Sequence, residues 1–257
     1  MRARARARAR LGQWNSLDSY EKTMRINLQP AFILHPRPYR ETSLLLDLLT
    51  ESHGRISLVA RGVRTARSKL RSLLQPFVPL LISWQGQSEL MLLNSAENQG
   101  AAFELRGDRL FSGFYLNELL VRVLQKHDPH PPLYTIYRHT LLELQSVPCV
   151  QRTLRIFEKK LLEELGYGLQ LSRDFSTGEE IQTEQVYQFY PEQGFKRSEK
   201  KIDDNMQFAG KSLLALCDEQ LNDENSLRDA KRLMRMAFHP LLGPYCLQSR
   251  KLFTEMK

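Results

Sequence analysis

ARGVRTARSKLRSLLQPF, Ala60–Phe77, holds five arginines and lysines between Arg61 and Arg71 and no acid. An apolar, strand-like run, Ile56–Ala60, precedes it, and another, Phe77–Trp84, follows. A basic loop carried between two strands of a small β-domain is a surface suited to a polyanion. Nucleic acid is therefore the first partner to consider. Working toward the N-terminus, Phe32–Leu34 is apolar and enters a proline-broken turn, His35–Pro38. Ser43–Leu49 is apolar too, and its leucines suit a helix as well as a strand. Glu51–Gly54 has turn chemistry, with Gly54 free to take a positive φ, and Arg55–Ala60 alternates polar and apolar. Toward the C-terminus come the turn Gln85-Gly-Gln87 and a last run, Glu89–Leu93. Five short strands in about 75 residues predict a small closed barrel such as the OB-fold.

Beyond Phe103 the apolar period becomes helical. Leu116, Leu119/Leu120 and Val123/Leu124 share one face; Leu133, Ile136/Tyr137, Thr140/Leu141 and Leu144 form a second stripe; Leu154, Phe157, Leu161/Leu162 and Leu165 form a third. Gly166 and Gly168 stop the third helix. A polar segment at about 172–201 carries one hairpin, Val186–Tyr190 with Gly194–Arg197. Helices are expected again over Gly210–Leu221 and Ser226–Phe238, the latter opened by Ser226 with Asp229 as a capping box and closed at His239-Pro240. A short final helix is expected through Ser249–Met256. The fold class is α+β: an OB-fold barrel over 26–102 and a helical domain over 103–257. Residues 1–25 form a disordered Arg/Ala-rich extension, and the functional fold is expected to begin near Met24.

At 257 residues the chain is long enough to bury a core in one or two domains. The net charge is +8, and six basic and two acidic side chains in residues 1–23 supply +4 of it. The rest is mildly basic, so local clustering matters more than the total. Cys149, Cys217 and Cys246 stand far apart, without the CxxC spacing of a zinc site or redox motif, which favours reduced thiols in a cytosolic compartment. No apolar run reaches the roughly 20 residues of a membrane span.

Guanidinium and ammonium groups bind phosphate oxygens, and counterion release supplies the affinity. The candidate DNA-binding residues are Arg61, Arg64, Arg67, Lys69 and Arg71, extended by Arg37, Arg40 and Arg55. A second basic group is Lys231, Arg232 and Arg235, with Arg250 and Lys251 later. Tyr39, Phe77 and Trp84 are the aromatic rings close enough in sequence to stack on bases, although Phe77 and Trp84 suit a core better. Gly210-Lys211-Ser212 ends like a phosphate-binding loop, but Asn205 stands where its first glycine belongs. His127-Asp-Pro-His130 has two imidazoles and no further ligand nearby, as an interhelical loop does. No triad or paired-carboxylate setting marks an enzyme, and no cofactor is implied. The residues alone leave open an RNA-binding OB protein, a nuclease, and an adaptor that binds only proteins.

FILHPRPYRETS at Phe32–Ser43, GRISLVARG at Gly54–Gly62 and LQPF at Leu74–Phe77 together resemble the RecO family of bacterial DNA repair proteins. YLNELL at Tyr115–Leu120 is similar to the start of that family's helical domain. LRIFE at Leu154–Glu158, running to LGYG at Leu165–Gly168, is similar to its central helix and the turn after it. The likeness spans about residues 28–257, with the motifs in family order. It implies a non-enzymatic recombination mediator of the RecF pathway, cytoplasmic and nucleoid-associated. Such a protein binds single- and double-stranded DNA, anneals complementary strands, and contacts the acidic C-terminal tail of the single-stranded-DNA-binding protein. With RecR it helps load RecA on coated DNA. A tail of that kind needs an apolar pocket and a cation. The helical domain offers Arg122, Arg152 and Arg155, with Leu119 and Phe157. Two departures stand out. Many members carry a four-cysteine zinc module after the Gly-Tyr-Gly turn, whereas Ser172–Lys201 has no cysteine, so a zinc-free hairpin insertion is expected. The family also usually begins close to its first strand.

Overall fold

A computed structural model describes residues 25–86, 90–198 and 205–249. The Arg-Ala tract, Met24, Gln87, Glu89, Lys201, Arg250, Lys251 and all but the first residue of the final helix lie outside them.

Strands β1 (Arg25–Tyr39), β2 (Ser43–Thr50), β3 (Gly54–Ala60), β4 (Leu80–Gln85) and β5 (Met91–Asn98) close a barrel in the order β1-β2-β3-β5-β4, with β1 pairing back to β4. This is the OB-like barrel expected. Ser43–Leu49 resolves as a strand because it pairs along its whole length with β1 and β3, which bury Leu46 and Leu48 completely. Between β2 and β3, Gly54 takes φ +64. A Cβ there would lie 2.0 Å from the backbone oxygen of Asp128, so only glycine lets the turn approach the next domain. The expected strand Phe77–Trp84 begins only at Leu80. Phe77 has φ 66 and Pro79 has no N–H to give a ladder. The basic loop holds a one-turn helix, α1 (Leu70–Leu73), whose leucines pack on the barrel core beside the buried Leu74.

The helical half contains α2 (Asp108–Val123), α3 (Pro131–Leu144), α4 (Val150–Glu164), α5 (Gly210–Cys217) and α6 (Glu224–Leu242). Gly166, at φ +80, follows the end of α4. Three helix limits differ from expectation: α5 stops at Cys217 instead of Leu221, with Glu219 at φ 58 just beyond it, and both ends of α6 are shifted. Asp223, not Ser226, caps α6, accepting from Ser226 N at 3.0 Å. At the other end Pro240 sits inside the last turn, and Gly243 at φ +59 ends the helix. A proline in the final turn removes one bond without stopping the remaining residues. The insertion is a sheet of β6 (Val186–Tyr190), β7 (Gly194–Arg197) and β8 (Gln207–Ala209), in the order β7-β6-β8. The hairpin lies where it was expected; β8 is too short to signal itself.

Barrel and helices share a core. Phe32, fully buried on β1, meets the rings of Phe103, Tyr134 and Tyr137 at 6.1, 5.3 and 5.2 Å. Burying such a side chain contributes about 1.5–3 kcal/mol. Asn117 Nδ2 donates to Leu34 O at 3.0 Å and its Oδ1 accepts from the Tyr137 hydroxyl at 2.5 Å, so α2, α3 and β1 are joined by buried polar bonds.

Candidate nucleic-acid interface

Strand residues alternate between faces. Leu46, Leu48, Ile56 and Leu58 fill the barrel, so Leu45, Asp47, Arg55, Ser57 and Val59 face outward. Register sets His35 opposite Asp47, Arg37 opposite Leu45 and Tyr39 opposite Ser43 on this outer face. At one end of it, a cleft of about 680 Å³ opens between the β1–β2 turn, the end of β3 and the start of β5, lined by Tyr39, Arg40, Val59, Arg61 and Leu90. The Arg40 guanidinium lies 5.3 Å from the Tyr39 ring centroid. Arg64 Nη1 donates to Arg40 O at 3.1 Å, tying the basic loop to the cleft.

Arg61, Arg64, Arg67, Lys69 and Arg71 are all exposed, and among the described residues none is ion-paired with a carboxylate. Other arginines of the chain are engaged. Arg55 is largely buried: its Nε donates to Leu124 O at 3.0 Å and its Nη1 lies 3.8 Å from Asp47, so it ties β3 to the end of α2 instead of joining the loop. Arg37 pairs with Asp47 at 2.9 Å and keeps half of its side chain exposed. Arg232 stacks over Phe208 at 4.4 Å, pairs with Asp229 at 3.1 Å and donates to Gln207 O, which makes it a brace for the insertion. Phe77 and Trp84 are buried, which leaves Tyr39 as the ring of the three that reaches the cleft.

Lys231 and Arg235 are not beside the barrel cleft. They line a second cleft, of about 140 Å³, with Tyr115, Leu154, Arg155 and Met234. Its floor is a buried pair, Arg155 Nη2 to Glu158 Oε1 at 2.5 Å, with the Tyr115 hydroxyl on the same oxygen. Arg155 Nε has no hydrogen-bond partner among the described residues. Of the residues expected to hold a partner's tail, Arg155 is here, but Leu119 and Phe157 are sealed in the core at 0% and 1% exposure and expose no apolar surface. Arg152 is spent on Glu219 O at 2.9 Å, and Arg122 stacks over Tyr245 at 5.1 Å at the end of α2. The apolar wall is Tyr115 and Leu154, at 6% and 7% exposure, whereas Met234 at 1% is closed over like Phe157; sequence periodicity marks Leu154 only as inward-facing in its helix stripe.

The family model described as recombination protein O, N terminal, matches residues 24–100, and its C-terminal counterpart matches residues 105–251. The chain belongs to the RecO family. The DNA repair protein RecO of Coxiella burnetii (strain RSA 493 / Nine Mile phase I) is 47% identical over 230 residues, covering 90% of this chain and 99% of that protein. Those of Cellvibrio japonicus and Haemophilus influenzae (strain 86-028NP) are 46% and 43% identical, each across 90% of this chain and 98% of their own length.

The RecO zinc module does not fit this chain, because Ser172–Lys201 has no thiol to donate. A carboxylate organises the knuckle. Asp174 Oδ1 accepts from Ser176 N at 2.7 Å, Ser176 Oγ at 2.8 Å and Thr177 N at 3.3 Å, and Oδ2 from Arg197 N at 2.7 Å. Burial pushes its pKa upward, but these hydrogen bonds outweigh burial and hold it below the usual carboxylate value. A lowered pKa gives stability that is complete above the unfolded value near 3.9 and lost as pH falls through the folded one. Asp174→Asn is expected to cost about 1.5–3 kcal/mol at pH 7, the range for hydrogen bonds to a charged group. Urea unfolding should show that difference shrinking as pH falls below about 4, where the unfolded chain takes up its proton first, and vanishing once the folded carboxylate is neutralised too.

Gly210-Lys211-Ser212 is not open to phosphate. A Cβ on Gly210 would meet the Gln182 carbonyl oxygen at 1.9 Å, so the start of α5 is packed against the insertion. His130 Nε2 lies 3.4 Å from Asp128, and among the described residues no group of three or more His, Cys, Asp or Glu is placed to hold a metal. No described helix is long and apolar enough to cross a membrane.

Proposed function

We propose that this chain, a DNA repair and recombination mediator by family, works as an ATP-independent annealing surface. Single- or double-stranded DNA lies on the outer face of the barrel and on the basic loop. The cleft between α2, α4 and α6 takes the acidic C-terminal tail of the single-stranded-DNA-binding protein. With RecR, the protein helps load RecA on coated DNA in the RecF pathway, in the cytoplasm beside the nucleoid. The observation that carries this reading is the set of five exposed cations, unpaired with described carboxylates, beside a cleft that contains Tyr39. Two strands repel each other as polyanions. A surface that neutralises their phosphates lowers that barrier by counterion release alone, with no chemistry.

For the tail, Lys231 and Arg235 supply cations at the rim, Arg155 one at the floor, and Tyr115 and Leu154 the apolar contact. The test is annealing of two complementary oligonucleotides coated with the cognate single-stranded-DNA-binding protein, with and without its tail, in the absence of ATP. Annealing should require the tail. The variant Lys231→Ala/Arg235→Ala should weaken binding of the tail peptide about thirtyfold, or roughly 2 kcal/mol, within the 1.5–3 kcal/mol range of charge-assisted bonds, and leave naked-DNA affinity within twofold. Equal losses of both would merge the two sites into one. Failure to anneal under any condition would remove the mediator mechanism.

A further inference from the structure

We infer that the single-stranded DNA path continues off the barrel into the seam with the helical domain, where Phe114, Arg122 and Lys126 form a stacking and phosphate-binding extension. This rests on the DNA reading above. The seam is a groove of about 990 Å³ whose barrel wall includes His35 and Arg37 and whose helical wall includes Phe114, Arg122 and Lys126. It and the barrel cleft lie along the same side of β1. His35, Arg37 and Tyr39 are alternate residues on the outward side of β1, Tyr39 lining the cleft and the other two lining the groove. At about 3.4 Å per residue, His35 and Tyr39 stand roughly 14 Å apart along one strand.

The charge of the groove favours an anion. Its two acids are already engaged. Asp47 accepts from Ser57 Oγ at 2.7 Å and pairs with Arg37 at 2.9 Å. Glu118 accepts from Gln248 N and Ser249 N, both at 2.8 Å, and from Ser249 Oγ at 2.6 Å. Arg122 and Lys126 are exposed, and neither has an ion-pair partner among the described residues; Arg122 rests one face over the exposed Tyr245 ring, which leaves its charge uncompensated. Phe114 is 36% exposed, an uncommon state for phenylalanine, with its ring 5.3 Å from that of Phe77 behind it. Cations interleaved with a supported aromatic face are what an unpaired strand recognises: phosphates on one side, a stacked base on the other.

The experiment is anisotropy titration of the full chain with labelled oligothymidylates of about 8 and about 25 nucleotides, the shorter within the site size of one OB-fold. With the long oligonucleotide, Arg122→Ala/Lys126→Ala should reduce the slope of log affinity against log salt by about 1.4, two phosphates at about 0.7 each, and weaken binding about tenfold. Binding of the 8-mer should change by less than twofold. Phe114→Leu, which keeps an apolar contact with Phe77, should weaken long-strand binding about fivefold without moving the slope, and Phe114→Tyr should restore it. Melting curves matching wild type establish that these surface variants fold. An unchanged slope on the long strand, or equal loss on both lengths, overturns the extension. So does loss of tail-peptide binding with DNA binding intact, which would make the groove a protein contact. If the wild-type chain binds neither oligonucleotide, the proposed function fails together with the groove. If it binds both and the double variant matches it, the groove alone fails.

Discussion

Arg61→Ala/Arg64→Ala/Arg67→Ala will reduce affinity for single-stranded DNA roughly 50-fold at 0.15 M salt, through loss of three phosphate contacts worth about 0.7 each in the salt slope. Log affinity then falls by about 2.1 units of slope, and the curves of variant and wild type converge near 1 M salt, where the counterion term vanishes. Folding should survive. All three side chains are exposed, and the one bond given up in the described structure is that of Arg64 to Arg40 O, worth about 1 kcal/mol. Arg232→Ala is the matched control. It removes the same charge from a residue braced against Phe208, Gln207 and Asp229, so it should lower the melting temperature and leave the salt slope unchanged. A triple variant that retains the wild-type slope would show that the loop is only a solvated surface.

The second large effect lies under the tail cleft. Glu158→Ala should destabilise the protein by about 3–5 kcal/mol, because it leaves the Arg155 guanidinium buried without its counter-ion. The Tyr115 hydroxyl loses its acceptor at the same time. For a chain of this size that corresponds to a drop of roughly 10 °C in Tm. The companion Arg155→Met/Glu158→Leu removes both charges and should recover most of the loss, since a buried pair is often no more stable than apolar groups of similar volume. Thermal unfolding of the two variants side by side decides the matter; a single variant within 1 kcal/mol of wild type would mean that the pair is solvated in solution. If the double variant folds well and no longer binds the tail, the pair serves recognition more than stability.

The barrel was legible because its signals are local: alternation in Arg55–Ala60, turn residues at Glu51–Gly54 and a charge-dense connection before Phe77. Helix stripes were equally plain, since an apolar face repeats within a single helix. The cleft proposed for the tail was hidden for a physical reason. Periodicity marks Leu119, Leu154 and Phe157 alike as inward-facing, but only the packing of α6 against α4 decides that Leu154 borders a cleft while the other two are closed over. Charge misleads in the same way. Arg55 and Arg64 look equivalent along the chain, yet one is anchored at a helix terminus and the other lies on the surface, because the partner of Arg55 is 69 residues away. In the apolar run Phe77–Trp84 the strand started late, because Phe77 turns out of the ladder to pack against α2.

The contact of Gly54 with the Asp128 backbone and the insertion of Phe32 among three rings have a mechanical consequence. Neither leaves room for the barrel to rotate against the helices without opening a packed interior. Barrel and helices therefore keep one arrangement, a jig and not a clamp, and a strand bound as proposed would bend to follow it. The entropy of setting barrel against helices is already met during folding, so binding has to order only the strand and the exposed side chains that hold it.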